Sequence, residues 1–146
     1  MSDDEIIHHA LCILEERLNK PDYVVNSPTD VARYLKLHYE GLEYESFRVM
    51  FLNSQHGLIR LKELFRGTIN SAAIYPREVV KAALAFNAAA VVLSHNHPSG
   101  DPKPSQADRH ITRHLVDALK LIDVKVLDHI VVGGNDSYSF AEHGLM

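Results

Sequence analysis

The stretch His95-Asn96-His97-Pro98-Ser99-Gly100-Asp101-Pro102-Lys103-Pro104-Ser105-Gln106-Ala107-Asp108 decides how this chain reads. Two imidazoles stand two residues apart at the end of an apolar run. A Pro/Gly-rich turn follows, and a carboxylate arrives one helical turn into the next element. The run Ala90-Val91-Val92-Leu93-Ser94 is short, β-branched and bounded by turn formers, the pattern of a buried strand. Side chains at i and i+2 of a strand share a face, so His95 and His97 point the same way. Beyond the turn, Ser105 reads as a helix N-cap with Asp108 in the first turn, which can bring that carboxylate back over the histidines. Two neutral imidazoles and one carboxylate suit a catalytic zinc, which keeps a further position for water. Each part also has a plainer reading. An isolated His-x-His is a weak signal, Ser105-x-x-Asp108 is equally a capping box, and Asp101 with the prolines is ordinary turn chemistry. The histidine pair resists them, because a strand ending in imidazoles in place of Val or Ile gives up apolar burial for no packing gain.

Outward from this stretch, helical and strand periods alternate. Residues 5–19 carry Ile6, Ile7, Ala10, Leu11, Leu14 and Leu18 at helical spacing, with a stop at Asn19-Lys20-Pro21. After an extended link at 22–26, Ser27 caps a second helix with Pro28 at its first position, running to His38 or Tyr39. From Glu45 the period becomes two: Phe47, Val49 and Phe51 alternate with Ser46, Arg48 and Met50. A turn at 53–57 returns the chain along 58–65 as a hairpin, and 68–74 is a weaker third strand. Tyr75-Pro76-Arg77 opens a helix through Val79, Val80, Ala83, Leu84 and Phe86, closed near Asn87. A helix over 106–122 aligns Ile111, Leu115, Ala118, Leu119 and Ile122. A strand over 124–132 ends at Gly133-Gly134, and 137–140 adds a short edge. Helices alternating with strands, plus an early antiparallel hairpin, predict an α/β fold with a mixed sheet flanked by helices.

Composition bounds the function. The chain has 146 residues, enough for one ordinary domain, with 46% hydrophobic and 23% charged residues. Its net charge of -4 offers no electrostatic footprint for nucleic acid, arguing against such a partner. The single cysteine, Cys12, excludes an internal disulfide and a Cys-rich zinc cluster. Amid Ala10, Leu11, Ile13 and Leu14 it reads as a small buried hydrophobe. His8 and His9 are adjacent, point about 100° apart on a helix and read as solvated. No apolar stretch is long enough to cross a bilayer, and the acidic N-terminus lacks the basic start of a signal peptide, so a cytoplasmic protein is expected.

Taken together, these features resemble the JAMM/MPN metalloprotease fold and, within it, the RadC-like branch. The JAMM signature runs from an upstream Glu through His-x-His-Pro to a Ser and an Asp, supplied here by His95, His97, Pro98, Ser105 and Asp108. His-Asn-His-Pro-Ser-Gly-Asp-Pro (95–102), Phe65-Arg66-Gly67-Thr68-Ile69, Pro76-Arg77-Glu78, Asp128-His129-Ile130 and Ser139-Phe140 carry the closer likeness. The resemblance implies a helical segment at 1–23 ahead of a JAMM/MPN domain at 24–146. It also implies one Zn2+ per chain on His95, His97 and Asp108, and catalytic roles for Ser105 and an upstream glutamate. Glu45 is favoured as that base because it immediately precedes the first strand, with Glu43 and Glu40 as competitors. For Asp128 and His129 the expectation is a buried charge or a partner behind a ligand histidine. The implied activity is hydrolysis of an amide bond in a peptide or protein; a homo-oligomer is left open. The alternative is an MPN scaffold serving DNA repair or protein interaction without proteolysis. The residues ahead of Glu45 lack the Gly-containing hairpin of the helix-hairpin-helix region usual in this branch, which weakens the DNA arm. Zinc nucleobase deaminases share a loosely similar layout, but they need cysteine ligands that this chain lacks.

Overall fold

A computed structural model describes residues 1–18, 28–68 and 74–146. Its elements in chain order are α1 (Asp3–Leu18), α2 (Pro28–Tyr39), β1 (Ser46–Leu52), β2 (Leu58–Arg66), α3 (Pro76–Ala85), β3 (Ala90–Asn96), α4 (Gln106–Lys120), β4 (Lys125–Gly133) and β5 (Asp136–Ser139). The strands form one mixed sheet in the order β2-β1-β3-β4-β5. Among the described residues only β3 and β4 run parallel, joined across the face by α4; the other described pairs are antiparallel. The extended link at 22–26, the Ser27 cap and most of the weak strand at 68–74 lie outside the described residues.

β3 occupies the centre because its run is apolar on both faces. Ala90 and Val92 join a core with Leu35 and Tyr39 of α2 and Met50 and Leu52 of β1. Val91 and Leu93 face the other way, into Phe47, Val49 and Phe51 of β1 and Ile111, Leu115 and Leu119 of α4. Two helical layers therefore cover the sheet. This explains why Ser46 and Met50, the non-aromatic side of the β1 alternation, are buried as well. His95 is the next residue on the Val91–Leu93 face, so the strand period carries it under α4.

Two local readings are corrected. Cys12 is exposed, because of the described α1 side chains only Leu14 is buried in the core, with Leu11 packed partly buried against it. α4 stops at Lys120, where the Val124 N–H closes on the Leu119 carbonyl at 3.0 Å and Asp123 takes a left-handed φ of 59°.

Candidate metal centre

The site assembles where β3 runs out beneath the start of α4. His95 is wholly buried, paired in register with Phe47 of β1 and Val131 of β4. His97 lies one residue past the strand, where its N–H still donates to the Val132 carbonyl at 2.8 Å. The 98–104 turn brings the chain to Ser105, whose hydroxyl accepts the Asp108 N–H at 3.1 Å while its own N–H donates to Asp108 Oδ2 at 2.8 Å. This complete capping box aims the carboxylate back at the histidines. Both readings of Ser105-x-x-Asp108 therefore hold at once: the cap is the device that presents the carboxylate.

Ligand atoms of His95, His97 and Asp108 all lie within 4.8 Å of one another, so the group could hold a metal ion. The two Nε2 atoms are 3.1 Å apart, with Asp108 oxygens at 3.2 Å from that of His95 and 3.1 Å from that of His97. The donor chemistry fits a cation. His97 Nδ1 lies 2.8 Å from the Asp101 carbonyl, which can only accept, so Nδ1 carries the proton and the Nε2 lone pair faces the cluster. The hydrogen bond with Asp108 raises the His97 pKa, against the opposing effect of burial. Burial pushes the Asp108 carboxyl up, but the close His95 and His97 imidazoles, which stabilise the ionised form, outweigh it and hold the group well below the usual carboxylate range. A buried anion between two imidazoles is a ready cation site.

A model of the RadC-like JAB domain matches residues 25–145. The chain belongs to the RadC-like JAB domain family. Among its relatives, UPF0758 protein YkfG of Escherichia coli (strain K12) is 51% identical over 144 residues, covering 99% of this chain and 91% of the relative. A UPF0758 protein of Vibrio cholerae serotype O1 is 52% identical over 142 residues, covering 97% of this chain and 89% of its own. UPF0758 protein YeeS of Escherichia coli (strain K12) is 52% identical over 141 residues, covering 97% and 95%.

In this RadC-like chain the three upstream glutamates part company. Extending the β1–β3 register past Phe47 and His95 sets residue 45 opposite residue 97. The Gly67 N–H donates to the Glu45 carbonyl at 2.8 Å. Glu45 is half-buried, lines a cleft with His97, Pro98 and Ser99, and contributes to the raised His97 pKa. Glu43 lines the same cleft but is exposed. Glu40 is exposed and lies with Asn96 and His97 along a second cleft.

Three residues beside the site have no role assigned from sequence. Asn96, between the histidines, accepts the Ser46 N–H at 2.7 Å and donates to the Tyr44 carbonyl at 3.0 Å, clamping the backbone on either side of Glu45. Thr112 and Phe140 are buried against His129. Thr112 had one legible signal, its i+4 spacing from Asp108 on the same helix; the Phe140 contact crosses strands. Asp128 accepts the N–H groups of His129 and Ala141 and the Ser139 hydroxyl, so it staples β4 to the chain after β5.

Proposed function

We propose that this chain is a zinc-dependent hydrolase of the cytoplasm that cleaves an amide bond in a peptide or protein. The convergence of His95, His97 and Asp108 beside a half-buried glutamate is the observation that supports this reading most. The two-imidazole, one-carboxylate set matches the ligand chemistry of catalytic zinc. Bound zinc would supply Lewis acidity and bring a water's pKa toward neutrality. Glu45 takes a proton from the attacking water as its oxygen bonds to the amide carbon. As the C–N bond breaks, the same carboxyl delivers that proton to the leaving nitrogen. Ser105 spends its hydroxyl oxygen on the Asp108 N–H, which leaves its O–H free to donate to the developing oxyanion. Asn96 holds the Glu45 backbone in place for this work.

The experiment is a paired substitution. Glu45→Gln keeps the size and hydrogen-bonding capacity of the side chain but cannot take a proton at neutral pH. Peptide hydrolysis should fall by about 10²–10⁴, the range for a lost general base, with zinc content unchanged. Glu43→Gln should leave the rate near wild type. The opposite pattern would move the base to Glu43; an active enzyme indifferent to both would remove the general-base role.

A further inference from the structure

Behind His95 lies a polar chain that the hydrolytic mechanism does not use. His95 Nδ1 is 2.8 Å from His129 Nε2, and His129 Nδ1 is 2.5 Å from Thr112 Oγ1. The Thr112 hydroxyl in turn lies 2.7 Å from the backbone carbonyl of Asp108. His95, His129 and Thr112 are each at most 2% exposed, so water does not compete for these contacts. The chain runs from one member of the metal group to the backbone of another.

Proton bookkeeping fixes its direction. A carbonyl only accepts, so the single Thr112 proton goes to Asp108. The Thr112 oxygen must then accept from His129 Nδ1–H. A neutral His129 with its proton on Nδ1 offers a lone pair on Nε2, which accepts from His95 Nδ1–H. His95 is left with its lone pair on Nε2, the atom 3.2 Å from Asp108 Oδ1. His129 cannot escape this role by turning. Phe140 stacks on one face at 4.6 Å with planes 16° apart, and Phe47 meets the ring edge-on at 5.9 Å. Phe140 is itself pinned by its N–H to the His129 carbonyl at 3.0 Å and by the Asp128 staple.

We propose that Thr112 and His129 are positioning residues that set the tautomer of His95, holding its Nε2 lone pair toward the metal group; this rests on His95 being a ligand. Reversing the chain would put a proton on that nitrogen and block it. The test is long-range 1H–15N correlation of histidine rings in the metal-free protein, above the imidazole titration range, with zinc affinity measured by chelator competition. Wild type should show Nδ1–H on both His95 and His129. Thr112→Val keeps the shape but removes the acceptor. It should move both rings toward Nε2–H and weaken zinc by about 10–100-fold, the usual effect of losing an outer-shell partner. Thr112→Ser should restore both readouts, which a role in packing alone would not require. A wild-type His95 with its proton on Nε2 overturns the proposal without any variant. So does a folded Thr112→Val protein with unchanged tautomers and affinity. Nδ1–H tautomers in a wild-type protein that takes up no zinc would support the chain of contacts and overturn the functional reading instead.

Discussion

Replacing Gly133 by alanine should loosen the metal group from behind. Gly133 has no need of a glycine's backbone freedom, since its φ lies outside the left-handed region; what it supplies is space. A Cβ there would stand 2.6 Å from Pro102 N, 2.7 Å from Asp101 C and 3.0 Å from Gly100 C, all backbone atoms of the turn after His97. Ordinary contact begins at 3.4 Å, so the turn must retreat by about 0.8 Å, the difference between 3.4 and 2.6 Å. That turn carries the Asp101 carbonyl, now 2.8 Å from His97 Nδ1. Moved directly away it would sit at about 3.6 Å, where no hydrogen bond remains. Zinc affinity should fall about 10–100-fold through the lost outer-shell contact, or about 1.4–2.7 kcal/mol. Overpacking should cost the fold about 1–3 kcal/mol besides. Chelator-competition titration reads the first and thermal denaturation of the metal-free protein the second. A Gly133→Ala protein with wild-type zinc affinity would refute the claim that this turn orients His97.

His97→Ala removes one of three ligands, so zinc per chain should drop well below one after dialysis against a mild chelator, while circular dichroism shows the fold intact; full retention would refute the ligand assignment. The raised His97 pKa gives a two-sided pH dependence. A proton competes with the metal, so zinc affinity should rise with pH through and above the ordinary imidazole range near about 6.5. In the metal-free protein the sign reverses. Protonated His97 gains Asp108 as a partner only in the folded state, so that stabilisation is complete below about 6.5 and is lost as pH climbs through the raised value. Denaturant titrations of both forms across this window check the two slopes.

The convergence of His95, His97 and Asp108 was legible because every step toward it is local. A strand repeats every two residues, a capping box spans three, and the Pro/Gly turn between them is written in its own residues. The central place of β3 was legible for the same reason, as an apolar run with no polar face. What sequence concealed lies across the sheet. The β1 alternation suggests one dry face, yet α2 covers the other: its Tyr39 hydroxyl meets Ser94 of β3 at 2.9 Å and Arg48 lies over its ring at 4.9 Å. Cys12 misled because an apolar stripe on α1 says nothing of how much partner surface awaits it. Sequence offered Asp128 and His129 alike as a buried charge or a partner behind a ligand histidine. It is His129 that meets His95, and its links to His95 and Thr112 join β3, β4 and α4, which no spacing within one element encodes.

The central claim is metal-dependent amide hydrolysis, and the most direct measurement is the appearance of new amino termini in a proteome-derived peptide library. The zinc-loaded protein should release them at defined positions. Stripping the metal should abolish release, and restoring zinc should recover it. A protein carrying one zinc per chain that generates no new termini under any of these conditions would contradict the account and leave a metal-bearing scaffold.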